Sequence, residues 1–210
     1  MTSLLNAENI NVWRGDNLLL HNVSFSIDAS EIVQVLGTNG SGKTTLLRIL
    51  CGIGIADDGA VLWRGEPVSR ASDQFHAELL YLGHKSGIKS SLTPVENLLF
   101  YSELAGMKNS ERTRKKIHTA LAELALEDKA NIACKNLSAG QQRRVSLARL
   151  ILEPATLWVL DEPFTALDAD GLRWVESQIA VHVENGGAVV LTSHTQFNAP
   201  QLSVRRFELT

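Results

Sequence analysis

Leu137-Ser138-Ala139-Gly140-Gln141 decides how this chain is read, because of what stands about a hundred residues before it. Gly37-Thr38-Asn39-Gly40-Ser41-Gly42-Lys43-Thr44 fits G-x-x-x-x-G-K-(S/T), a phosphate-binding loop. Its glycines let the backbone wrap closely and aim N–H groups at phosphate oxygens. The helix that follows turns its positive end to the same anion. The loop follows an apolar run, Ile32-Val33-Gln34-Val35-Leu36, which reads as a buried parallel strand. Lys43 has the length to reach the β- and γ-phosphates, and Thr44, followed by Thr45, offers a hydroxyl to Mg2+. Ser138 and Gly140 stand at the start of a second helix, where a hydroxyl, backbone N–H groups and the helix dipole make a second anion site. Within one chain that site faces away from the chain's own phosphate loop.

Leu157-Trp158-Val159-Leu160-Asp161-Glu162 is a buried strand ending in two acids. Mg2+ takes oxygen ligands and keeps several waters, so Asp161 is the candidate metal ligand and Glu162 the candidate general base. Taken together, the phosphate loop, the acidic strand and the pentapeptide resemble the ATP-binding cassette (ABC) family. The resemblance implies a P-loop NTPase α/β fold with a mainly parallel sheet core, an N-terminal antiparallel β part and an inserted helical lobe. It also implies ATP and Mg2+ as ligands and a head-to-tail pair of copies. In such a pair Ser138, Gly140 and Gln141 of one subunit close over ATP held by Lys43 and Thr44 of the other. Thr165-Ala166-Leu167-Asp168 resembles the family's D-loop, His194 its switch histidine, and Trp13 its adenine-stacking aromatic. A core tryptophan is the rival reading for Trp13. Catalysis is thereby assigned to Glu162, His194 and Lys43, and metal binding to Thr44 and Asp161.

His84 departs from the family, which carries a glutamine there. Imidazole is a poor Mg2+ ligand, so His84 reads as a hydrogen-bonding group for a metal-bound water or the γ-phosphate, or as an inert replacement. A smaller departure, Ala29-Ser30-Glu31, puts serine where glycine is usual and touches a turn, not the chemistry. The stretch 83–89, with Leu62-Trp63-Arg64-Gly65, Gly140–Val145 and Trp158–Ala166, is similar to the ATP-binding subunits of cytochrome c maturation (Ccm) systems. That likeness implies the cytoplasmic face of a bacterial inner membrane and membrane subunits of the CcmB and CcmC type as partners. It implies an ATP-driven step of haem export or of haem-chaperone release. No CxxCH or histidine–methionine cluster suggests that the chain holds haem itself.

The composition agrees. The chain has 210 residues, 44% hydrophobic and 20% charged, with a net charge of -3, so no overall basic character points to nucleic acid. Two cysteines, Cys51 and Cys134, form no metal or disulfide pattern. No apolar run is long enough to span a bilayer; membrane contact is expected through partners. The basic run Arg112-Thr113-Arg114-Lys115-Lys116 reads as a solvated helix face. The expected organisation is one ABC domain, with an α/β lobe over about 1–85 and 153–210 and a helical lobe over about 86–152. Within the helical lobe Ser138–Leu152 is expected as one helix. An ordinary importer or exporter ATPase is the nearest alternative; a soluble nucleic-acid or ribosome-associated ABC protein and a scaffold without turnover stand further off.

Overall fold

The computed structural model describes residues 3–193, 197 and 203–209. They fall into two compact units: the described residues within 1–81, 155–162 and 180–210 in one, and 82–154 and 163–179 in the other.

The first unit holds two sheets. β1 (Leu5–Arg14) and β2 (Asn17–Ile27) make an antiparallel hairpin, with Arg14 opposite Asn17 across a two-residue turn. β4 (Asp58–Trp63) and β5 (Glu66–Pro67) extend it in the order β2-β1-β4-β5. The second sheet runs β6-β7-β8-β3-β9, where β3 is Ile32–Leu36, β6 Leu79–Leu82, β7 Leu157–Asp161, β8 Ala188–Thr192 and β9 Val204–Glu208. β7 lies parallel to β8, and β3 lies parallel to both β8 and β9. Every residue of β7 and β8 is buried, as expected of strands covered on both faces. Helix α1 (Lys43–Leu50) sinks Leu46, Leu47 and Leu50, and the short α2 (Ser72–Ala77) sinks Phe75, into the core that both sheets share with Ile10, Ile27, Val33, Val35 and Val159.

Two features outside that core fix the strand ends. The Trp158 indole of β7 stacks on the His182 imidazole, ring centres 3.8 Å apart and planes nearly parallel. Glu78 receives a forked pair of hydrogen bonds from Arg64 at 2.9 and 2.6 Å, and its other contacts start β7: the Thr156 hydroxyl donates to its carboxylate at 2.6 Å. The backbone N–H of Thr156 donates to the Glu78 carbonyl at 2.8 Å.

The second unit is helical. α3 (Pro94–Leu104) opens with a capping box, Thr93 accepting from the Glu96 N–H while Glu96 accepts from the Thr93 N–H. α4 (Glu111–Glu123) buries Thr113, Ile117, Ala120 and Leu121 against Leu98, Val145, Ala148 and Leu152. The helix expected over Ser138–Leu152 is two pieces, α5 (Ala139–Leu147) and α6 (Arg149–Leu152), meeting at Ala148. The apolar spacing that suggested one helix carries across the joint because Val145, Ala148 and Leu152 share one core. Helix α7 (Ala169–Glu184) gives its residues up to Ile179 to the helical unit and the rest to the first unit. Its Trp174 belongs to the helical unit, packing on that core and donating to Glu123 at 3.2 Å.

Two outcomes test this frame. Ser30 holds a φ of +62°, a left-handed conformation that costs an L-residue about 1–2 kcal/mol. Ser30→Gly should therefore raise stability by about 0.5–1 kcal/mol, read by urea denaturation. Burial pushes the Glu78 carboxyl up, but the Thr156 hydroxyl and the Arg64 guanidinium outweigh it and hold the carboxyl below its ordinary value. A depressed carboxylate stabilises the fold above its unfolded pKa and loses that contribution as pH falls through the folded value. Glu78→Gln should thus be less stable than the parent at pH 7, and the gap should start to narrow near the ordinary carboxylate value of about 4 and close only below the depressed folded one.

Candidate functional site

The strand β3 ends at Leu36 and the phosphate loop leads directly into α1. Gly42 caps that helix at φ +94°, and a side chain there would meet Leu20 Cδ2 at 2.7 Å. Glycine is required by both conformation and space. At Gly37 a Cβ would lie 2.5 Å from Ser41 Oγ. Ser41 Oγ is itself a buried hydroxyl with no hydrogen-bond partner among the described residues. An orphaned donor inside a loop of backbone N–H groups suits a phosphate oxygen. Thr38, Asn39 and Gly40 are exposed along the loop. Lys43, 8% exposed, spans it and donates from Nζ to the carbonyls of Gly37 at 2.7 Å and Thr38 at 2.8 Å. Thr45 accepts from the Arg14 guanidinium at 3.3 Å.

The two acids lie at the end of β7. Asp161 is 1% exposed, and two hydroxyls from different elements hold it: Thr44 Oγ1 of α1 at 2.9 Å and Thr192 Oγ1 of β8 at 2.8 Å. This carboxylate also acts on its neighbours. Burial first, and then Asp161, pushes the Tyr81 phenol up to about 12 and raises the Cys51 thiol further still. Glu162, next in the chain, has a φ of +51°. Such a backbone costs about 1–3 kcal/mol and persists where its surroundings impose it. Here the Glu162 N–H donates to the same Thr192 hydroxyl at 2.9 Å.

Thr192 therefore fixes both acids, and the sequence reading did not single it out. The available signal was a polar residue closing the all-apolar run Ala188–Leu191. Trp13 is 52% exposed, so it is not a core tryptophan; its backbone N–H donates to Asp57 at 2.6 Å. His194 lies outside the described residues.

In the helical unit Ser138 caps α5 in a reciprocal box: its hydroxyl accepts from the Gln141 N–H at 3.2 Å, and Gln141 Oε1 accepts from the Ser138 N–H at 2.9 Å. The Gln141 side chain is thus committed to the cap. Ser138 and Ala139 are exposed and Gly140 is half-buried. A Cβ on Gly140 would lie 3.0 Å from the Ala166 carbonyl, so the pentapeptide and the D-loop-like turn approach backbone to backbone. Ala166 holds a φ of +63°. Arg144 of α5 donates to Asp168 and, at 3.0 Å, to the Leu124 carbonyl. Backbone donation from Gly171 and the Arg144 guanidinium keep the Asp168 carboxyl below its ordinary range. His84 is exposed on the loop after β6, in this same unit.

The comparisons agree with this geometry. The ABC transporter family model matches residues 20–165. The chain is 44% identical over 206 residues to the cytochrome c biogenesis ATP-binding export protein CcmA of Vibrio vulnificus strain YJ016, covering 98% of this chain and 99% of that one. It is likewise 44% identical to CcmA of Escherichia coli K12, over 99% of this chain and 97% of that one. Among solved structures it is similar to the dimeric ATP-binding cassette MJ0796 in a post-hydrolysis state with ADP and Pi, at 25% identity and a TM-score of 0.81, covering 91% of this chain and 88% of that one. The chain belongs to the ABC transporter family, as an ATP-binding cassette of the CcmA group.

Proposed function

We propose that the chain is the ATP-hydrolysing subunit of a cytochrome c biogenesis complex on the cytoplasmic face of the bacterial inner membrane. It works as a pair of copies with membrane subunits of the CcmB and CcmC type. The observation that carries the catalytic part is the convergence of the phosphate loop and the acidic strand through the 2.9 Å bond from Thr44 to Asp161. The CcmA relatives support the cytochrome c part. No helix among the described residues is long and apolar enough to cross a membrane, in keeping with contact through partners.

The loop's N–H groups, Ser41 Oγ and Lys43 hold the ATP phosphates, and Trp13 offers an exposed ring for adenine. Thr44 and Asp161 present hydroxyl and carboxylate oxygens, the donor set that suits Mg2+; the ion neutralises phosphate charge when bound. Glu162 takes the proton of the attacking water. Its strained backbone and its bond to Thr192 aim the carboxylate. The exposed end of α5, with Ser138 and Gly140, closes over the γ-phosphate bound to the other copy. Hydrolysis removes that bridge and opens the pair. The work drawn from this cycle is haem export or release of a haem-loaded chaperone. In this scheme His194 contacts the γ-phosphate, and His84 would hydrogen-bond that phosphate or water around the ion.

Glu162→Gln should lower kcat by about 10²-fold or more and accumulate an ATP-bound dimer in size-exclusion chromatography with light scattering. Lys43→Ala should form no such dimer. Unchanged turnover in Glu162→Gln removes the general-base assignment. Pull-down of tagged Glu162→Gln from gently solubilised membranes should enrich CcmB- and CcmC-type proteins over the parent; an unrelated permease there overturns the cytochrome c role.

Thr192→Val should reduce kcat about tenfold, the worth of about one buried hydrogen bond. KM for ATP should change little, and Thr192→Ser should restore turnover. An equal loss in the serine variant would show that the hydroxyl is not what matters.

A further inference from the structure

The basic residues on α4 are exposed, as on a solvated helix face, and they are also arranged in a pattern. Because Thr113, Ile117, Ala120 and Leu121 turn into the core, Arg112, Lys115, Lys116 and Thr119 recur at i, i+3, i+4 and i+7 on one exposed stripe. That stripe borders a hollow of about 360 Å3 whose remaining lining is Ile151 and Leu152 of α6. The hollow has an aliphatic floor and a cationic wall.

Several neighbouring cations of this unit are engaged. Arg144 pairs with Asp168, Arg149 with Glu153 and Lys129 with Asp128, and Arg114 donates to Asn109. Arg112, Lys115 and Lys116 take part in no ion pair among the described residues. Glu153, at the end of α6, is already held by Arg149 from two sides of its carboxylate. Glu153 therefore does not neutralise the wall.

We propose that this groove docks an acidic segment of a partner protein, with one or two aliphatic side chains on the Ile151–Leu152 floor and carboxylates facing Arg112, Lys115 and Lys116. Charge complementarity sets the sign of the partner, since three cations left in one stripe attract a negative segment. The concavity sets its kind. The volume is at the small end of ligand-sized clefts, enough for a few side chains. A flat layer of lipid headgroups would meet the cationic wall and leave the aliphatic floor uncovered. The proposal concerns a face of the helical unit and stands apart from the ATP chemistry and its cargo.

The test is fluorescence anisotropy on the full chain with a short labelled helical peptide of glutamate and leucine. Three controls accompany it: the same peptide with serine for leucine, the same with lysine for glutamate, and phosphatidylglycerol vesicles. The Glu/Leu peptide should bind, and Lys115→Glu/Lys116→Glu should weaken it about tenfold or more. This double variant should keep the parent's basal ATPase rate and melting temperature, since neither residue belongs to the nucleotide site. The serine peptide should bind about tenfold more weakly than the leucine one, because the floor goes unused. Binding indifferent to the double variant overturns the proposal. So does equal binding of the serine peptide, which would reduce the groove to bare charge. Vesicle binding without peptide binding would assign the stripe to a membrane surface instead.

Discussion

A single carboxylate organises the candidate ATP site. Asp161 is almost completely buried at the end of β7, and a charge in such a place is tolerated only if its oxygens are satisfied. Thr44, from the helix that follows the phosphate loop, and Thr192, from the neighbouring strand, each give it a hydrogen bond. Those two bonds join three separate stretches of sequence: the loop that would cradle phosphate, the strand that ends in the acids, and the strand that leads toward His194. The same threonine hydroxyl that donates to Asp161 accepts the Glu162 N–H. The two acids, proposed as metal ligand and base, thus share one hydroxyl, and Glu162 is held in a backbone conformation it would not adopt unaided.

The pentapeptide is built on a different economy. Ser138 and Gln141 satisfy each other's backbone donors, and so stabilise the start of α5 by about 1 kcal/mol. The first turn of α5 is fixed this way and its exposed end stays open to an anion. The close approach of Gly140 to Ala166, and the bond from Arg144 to Asp168, then tie that end to the turn after the acidic strand. Ser138, Gly140 and Asp168 therefore form one local structure, although they lie far apart in the chain.

Much of this was legible in the sequence, for definite physical reasons. The phosphate loop is local: glycines, lysine and threonine act through backbone and side chains within eight residues. The acidic strand is equally plain, because a fully buried parallel strand is a continuous apolar run and its end is marked by charge. Thr192 was not legible in this way. Its role arises only when β7 and β8 lie side by side, and a threonine closing a strand has no local mark. Gln141 reads from sequence as part of a ligand site, and S-x-x-Q at a helix start is also a capping box; its side-chain oxygen serves the cap. The joint at Ala148 was hidden because helical periodicity survives it. Trp13 left core and surface open from sequence; its exposure favours the surface.

The central claim is that each ATP site is completed by the other copy, and complementation between two damaged chains tests it most directly. Lys43→Ala removes the phosphate side and Ser138→Arg blocks the α5 side, so each variant alone should be inactive. A mixed pair carries one site in which intact Lys43 and intact Ser138 meet, and one in which both are damaged. Mixing the two purified variants should therefore restore ATP hydrolysis above the sum of the separate preparations. Full activity in Ser138→Arg alone, or no recovery on mixing while mixed dimers are demonstrably present, would contradict a site shared between two copies.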